Sequence, residues 1–286
     1  MTAFTKILVP FDDNIRSIRA LEYAAMFATG IGAAITALHI ADPRNYHTKE
    51  EFDKELSKMV ETELRPKLAE IQKNYPDIRK IDLQIRGLER AIHRHILDFV
   101  SENNIDFLVM RSHGLSQAND WELHFKTTNA YKVLLEAPCP VFTFTQIPDH
   151  PKMKNILIPL DLSEGSLYKI PFAITLAKQF GASIHLLCAS EYREDYSELQ
   201  KQLDDVNNEL SDQGIKTIKS EIQISTMPEA IFSYYNQADI DLVIIMSRPG
   251  FKWSDLWVSP KAKRIVSLSK VPVVSLRTDK PFDVGI

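Results

Sequence analysis

Cysteine is scarce in this chain of 286 residues: there are two, Cys139 and Cys188, far apart and each in an apolar stretch. That argues against a disulfide framework or a paired-cysteine metal site, and leaves both as packed, reduced thiols. No block of five or more basic residues occurs, and 34 Lys plus Arg stand against 38 Asp plus Glu, so no long-range field gathers nucleic acid. No stretch approaches the roughly 18 apolar residues that a membrane span needs. The opening run Ile7-Leu8-Val9-Pro10 is too short for a signal core and lacks a cleavage pattern, which makes the cytoplasm the expected location. Gly-x-Ser-x-Gly and paired carboxylates are missing too, so no catalytic residue is assigned and the chain is expected not to be an enzyme.

What is present is a repeat. Ile7-Leu8-Val9-Pro10-Phe11-Asp12 returns as Leu157-Ile158-Pro159-Leu160-Asp161, with Pro10 falling on Pro159 and Asp12 on Asp161 at an offset of 149. The same offset carries Ala24 and Ala28 onto Ala173 and Ala177, Gly32-Ala33 onto Gly181-Ala182, Ile35 onto Ile184 and Leu38 onto Leu187. A shared offset over some thirty residues indicates a duplicated domain. The boundaries expected are a first domain over 1–146, a linker over 147–153 with Pro148 and Pro151 in it, and a second domain over 154–286.

Each repeat alternates short β-branched runs with helical patterns, which predicts parallel strands joined by right-handed crossovers. The first repeat should place strands near 6–9, 34–39, 82–86, 107–111 and 141–145, and the second near 155–159, 183–188, 219–224, 242–247 and 271–276. In the first helix, Ile18, Leu21, Ala24 and Ala28 form the apolar face, with Asp13 or Asn14 as N-cap and Gly30 or Gly32 at the end. Its counterpart uses Ser163, then Leu167, Ile170, Ala173 and Ala177, then Gly181, with Pro171 expected to kink it. Further on, Lys49 to Gln72 is charged and interrupted by Pro66, whereas Tyr196 to Asp212 carries the compact stripe Leu199, Leu203, Val206 and Leu210.

The strand ends Val-Pro-Phe-Asp12 and Ile-Pro-Leu-Asp161, the Gly-Ala-x-Ile entry to each second strand, His113-Gly114, and Ala137-Pro138-Cys139-Pro140-Val141 with its counterpart Lys270-Val271-Pro272-Val273 follow one another in order. Together they resemble the universal stress protein family in its tandem form. The resemblance implies α/β architecture: two tandem doubly wound five-stranded parallel-sheet domains of the adenine nucleotide alpha hydrolase-like kind. It also implies self-association, between the two domains and as a homodimer, and nucleotide held at the carboxyl ends of the first and fourth strands. The candidate groove so implied comprises Asp12, Ile40, Met110, His113, Gly114, Thr127 and Thr128 in the first repeat. In the second it comprises Asp161, Met246, Gly250 and Ser259.

ATP-binding members carry Met-Gly-x-His-Gly, whose closing glycine is the first of Gly-x2-Gly-x9-Gly with Ser or Thr, because missing β-carbons let main-chain N–H groups approach the phosphates. Here Met110-Arg111-Ser112-His113-Gly114 retains only the closing glycine; Gln117 and Thr127 stand at the next two glycine positions. Asp120 and Glu122 add negative charge where phosphates would lie. In the second repeat Met246-Ser247-Arg248-Pro249-Gly250 again keeps one glycine, and Ser259-Pro260 reads as an N-cap and first-turn residue. Lys261, Lys263 and Arg264 make that copy the more hospitable to an anion. No cofactor is expected, ATP being disfavoured by both loops.

Trp121, Phe125, Phe251, Trp253 and Trp257 occupy the two loops, where they either plug the groove or form a surface for a protein partner. His93 and His95 lie two apart on a helix, which suits metal binding poorly. The reading is a non-enzymatic stress-response binding or signalling module with degenerate ATP loops. The alternative is a nucleotide- or small-ligand-binding regulator in which one copy still binds, with or without slow hydrolysis.

Overall fold

Strand β1 (Lys6–Pro10) carries Ile7, Leu8 and Val9, all completely buried, because a parallel strand covered on both faces needs apolar side chains in both directions. The computed structural model describes residues 4–11, 15–112, 128–145, 152–162, 165–220, 222–247 and 259–277. The Asp13, Asn14 and Ser163 caps expected from sequence lie outside these residues. The described chain forms two units: one runs to Arg111 and resumes over Asn129–Val141, and the other takes Ser112, Thr128 and the chain from Phe142 onward.

In the first unit, β1 is followed by α1 (Ile15–Ile31), β2 (Ala34–Ala41), α2 (Lys49–Met59), α3 (Arg65–Asn74), β3 (Lys80–Gly87), α4 (Ile92–Asn103), β4 (Phe107–Arg111) and α5 (Asn129–Glu136). The strand order is β3-β2-β1-β4, all parallel, with Ile7 opposite Ile35 and Phe107 and with Ala34 opposite Lys80. Helix α1 lays Leu21, Ala24, Phe27 and Ala28 into the core, and Gly32 ends it at φ +68°, where a β-carbon would be strained. The interruption expected at Pro66 takes the form of a π turn over Val60–Leu64, with the Arg65 amide reaching back to the Val60 carbonyl. Pro66 then stands directly after the π turn, in the first turn of α3, so the irregular turn falls where proline cannot donate a helical bond.

β5 (Val141–Phe144) falls across the division, Val141 with the first unit and the rest with the second. The second unit continues with β6 (Asn155–Leu160), α6 (Ile170–Phe180), β7 (Ser183–Ser190), α7 (Tyr196–Asp212), β8 (Thr217–Lys219), β9 (Gln223–Ile224), α8 (Met227–Tyr234), β10 (Leu242–Met246), α9 (Pro260–Leu268) and β11 (Val273–Leu276). Its strands run β8-β7-β6-β10-β11, parallel, with Asn155 opposite Ser183 and Leu242 opposite Ile156. The single strand expected over 219–224 is two: β8 pairs Thr217 with Ile184, and β9 pairs Gln223 with Ala189 further along β7. Between them the Ser220 amide and hydroxyl both donate to the Leu186 carbonyl, at 2.9 and 2.8 Å.

The counterpart of α1 also departs from expectation. Residues 166–169 form a 3₁₀ turn, and α6 proper begins at Ile170, with Pro171 in its first turn and no interior kink. Pro171 has no N–H to close on the Leu167 carbonyl, so the preceding turn tightens to three residues. The phase of the inward face then shifts: Leu167, expected in the core, is 43% exposed, and Lys169 is 3% exposed.

Both units start their first strand with the same device. In the first, Asp106 Oδ2 accepts from the amides of Thr5 and Lys6 at 2.8 and 3.0 Å. In the second, Asp241 Oδ2 accepts from Lys154 and Asn155 at 2.8 and 2.9 Å. Each carboxylate ties the strand that follows it to the strand these two amides open, satisfying backbone donors with charge-assisted bonds.

Candidate functional site

In the second unit β6 is flanked by β7 on one side and β10 on the other, so consecutive connections leave β6 in opposite directions. At such a switch point the loops beyond the carboxyl ends diverge and leave a crevice. A cavity of about 360 Å³ lies there, lined by Pro159 and Asp161 from the end of β6, Ser166 and Lys169 from the 3₁₀ turn, Ile245 and Met246 from β10, and the first turns of α8 and α9. Asp161, Met246 and Ser259, three of the four groove residues implied for this repeat, are therefore brought together. Gly250 lies outside the described residues.

Each polar member of the lining has a local reason for its position. Gly165, at φ +82°, lets the chain turn back after Asp161. The Ser166 hydroxyl accepts from the Asp161 amide at 3.3 Å and from Lys169 Nζ at 3.2 Å, and Nζ also donates to the Ser166 carbonyl at 2.5 Å. Ser259 is the N-cap expected: its Oγ accepts from the Ala262 amide at 3.0 Å, and Pro260 follows in the first turn. That bond uses an acceptor lone pair of the hydroxyl and leaves its O–H as a donor. Of the three basic residues expected to favour an anion, Lys261 alone lines the cavity; Lys263 is buried, and Arg264 Nη1 faces Glu229 Oε1 at 3.6 Å.

The electrostatics centre on Lys169. Burial pushes its amine down to about 8, more strongly than the nearby Asp161 and Cys188 pull it up. Cys188 is fully buried and its thiol is pushed up to about 12, first by desolvation, so it stays protonated. Met227, Ile245, Met246 and Ile265 make the rest of the wall apolar.

In the first unit the picture is partial. Met110 ends up buried near the end of β4 and Ile40 half-buried on β2, while Thr128 is buried as well. Asp12, His113, Gly114 and Thr127 lie outside the described residues, as do Trp121, Phe125, Phe251, Trp253 and Trp257. His93 and His95 are both buried; His95 Nε2 accepts from the Glu89 and Arg90 amides at 3.3 and 3.4 Å, a structural role in the turn before α4. Among the described residues no group of three or more His, Cys, Asp or Glu is placed to hold a metal ion. Among them, too, no helix is long and apolar enough to cross a membrane.

Sequence reasoning missed Ser166, Lys169 and Met227. A signal for Lys169 was available: the repeat offset of 149 puts it on Ala20, which is nearly fully buried, and a lysine replacing a core alanine points to a polar cavity or a function.

The sequence profile of the Universal stress protein family matches the chain twice, over residues 3–144 and 152–277. Universal stress protein MJ0577 of Methanocaldococcus jannaschii is 24% identical over a match covering 45% of this chain and 89% of its own. Among solved structures, a universal stress protein from Archaeoglobus fulgidus superposes with a TM-score of 0.75 at 18% identity, over 96% of this chain and 98% of its own. A functionally unknown protein from Pseudomonas aeruginosa, PA1789, gives 0.68 at 15% identity, over 99% and 95%. The structural likenesses speak to fold, and the profile matches, which between them take in nearly every residue, speak to descent. The chain belongs to the universal stress protein family, with two of its domains in tandem.

Proposed function

We propose that this tandem protein is a non-catalytic stress-response module that works by reversibly binding a small, adenine-nucleotide-like ligand in its second repeat. The observation that carries this reading is the cavity at the end of β6 and β10, which gathers Asp161, Met246 and Ser259 and leaves space beside them. Its walls suit a flat, largely apolar base, Asp161 offers an acceptor for a nucleoside, and Lys169, Lys261 and the first turn of α9 favour a negative group. In this respect the geometry supports the ligand-binding alternative over a purely scaffolding role.

The phosphate grip is weak in this reading. The sequence offers one glycine where a triphosphate cradle uses three. A monophosphate should therefore bind at least as well as a triphosphate. The same reading has the protein acting in the cytoplasm, self-associating as a dimer, and passing its ligand state to protein partners without contacting nucleic acid.

Calorimetric titration of nucleotide-stripped protein with AMP, and with ATP plus magnesium, tests it. The expected result is AMP binding tighter than about 100 μM, or about −5.5 kcal/mol, with no gain for ATP and no phosphate release on prolonged incubation. Absence of heat and of any thermal shift with both nucleotides would overturn the reading.

A further inference from the structure

We propose that the second-unit cavity is a carbonyl-capture site, in which the Lys169 amine condenses with a small aldehyde to form an imine. Four observations converge on that amine. Lys169 is 3% exposed yet lines a cavity of about 360 Å³, so a molecule admitted to the cavity meets it away from bulk water. Its hydrogen-bond partners are neutral: Nζ donates to the Ser166 carbonyl and hydroxyl. A neutral amine has two N–H bonds and one lone pair. Ser166 takes up both N–H bonds, which leaves the lone pair as the unengaged site.

Burial supports the neutral form. With the amine pushed down to about 8, roughly a fifth of it is unprotonated at pH 7.4, against about a thousandth for an exposed lysine. A desolvated lysine in an apolar pocket is the usual form of an imine-forming nucleophile. Asp161 lines the same cavity and its charge acts on Lys169, so the cavity holds a group able to accept and return a proton. The apolar wall of Met227, Ile245 and Met246 would hold the carbon skeleton.

The chemistry balances without an oxidant or reductant. The nitrogen lone pair adds to the carbonyl carbon, and the C=O π pair moves to oxygen. Nitrogen gives up one proton, relayed by Asp161 to that oxygen, which leaves a neutral carbinolamine. The second nitrogen proton follows by the same relay to the hydroxyl, which departs as water with the C–O pair, and the nitrogen pair closes the C=N bond. One amine and one aldehyde give one imine and one water.

The test uses the full chain with pyridoxal 5′-phosphate as the probe aldehyde, followed by borohydride reduction, digestion and mass spectrometry. At equimolar probe the reduced adduct is expected on Lys169 at least ten-fold above any other lysine, rising between pH 6.5 and 8.5. The selectivity should vanish in urea, and D161N should slow labelling several-fold without redirecting it. K169R should remove the adduct; if that variant does not fold, labelling of native against urea-unfolded wild-type protein decides the same question. Adducts confined to exposed lysines away from the cavity, such as Lys49, or equal at Lys169 in folded and unfolded chain, would overturn the proposal. No nucleotide is present, so failure of AMP binding and failure of this inference are separate results.

Discussion

Ala20 and Lys169 stand at the same place in the two repeats, and both are nearly out of solvent, at 1% and 3% exposure. In the first unit α1 runs unbroken from Ile15 to Ile31 and closes this position with a methyl group. In the second, Pro171 tightens the preceding turn, and the position holds an amine at the edge of a cavity. One duplicated frame has thus been given two uses. The strand order, the Asp106 and Asp241 clamps and the glycine stops are shared, which shows that the frame tolerates a change of one inward residue into a polar site.

Exchanging the two residues should break the comparison most sharply. Ala20→Lys puts an ammonium where the first unit has packed core, and a loss of about 4 kcal/mol in urea unfolding is expected, as for an uncompensated buried charge. A loss under about 1 kcal/mol would mean that the first unit also offers a polar cavity there. In the other direction, the pH dependence of Lys169 isolates its contribution. The folded amine releases its proton near 8 and the unfolded one near 10.5, so between those values the unfolded chain binds more protons and stability rises with pH. The burial penalty is therefore full below about pH 8. The stability difference between wild type and Lys169→Met should shift by about 3 kcal/mol in favour of wild type on going from pH 7 to 10.5, measured by urea denaturation at both.

The shared features should respond alike. Asp106→Ala and Asp241→Ala each remove two charge-assisted bonds from backbone amides, Asp106→Ala also one from the Thr5 hydroxyl, and each should lower stability by about 2 kcal/mol; a large asymmetry would show that the clamps are not equivalent. The smallest effect expected is that of Ser259→Ala, about 1 kcal/mol from the lost N-cap, visible as a modest drop in thermal stability.

Much of this frame could be read from the chain alone. Buried parallel strands such as Leu242–Met246 write themselves as unbroken apolar runs, and the Leu199, Leu203, Val206, Leu210 stripe marks a helix whose one face is fully covered. The Ser259-Pro260 start was legible because capping is chemistry between neighbours. The site was less so. Helical spacing put Leu167 in the core, and a proline four residues further on changed the turn and brought Lys169 inward in its place. That outcome depends on backbone phase, which a fixed period of 3.6 does not carry. The split of β8 from β9 was hidden for a similar reason: Thr217 and Gln223 pair with different stretches of one long strand, a tertiary choice with no local signature.

Ligand binding by the second repeat through Asp161, as proposed, is decided by AMP titration calorimetry on wild type, Asp161→Asn and Asp12→Asn side by side. One site per chain is expected, with binding weakened at least ten-fold by Asp161→Asn and unchanged by Asp12→Asn. Binding that survives Asp161→Asn and is lost with Asp12→Asn would contradict it.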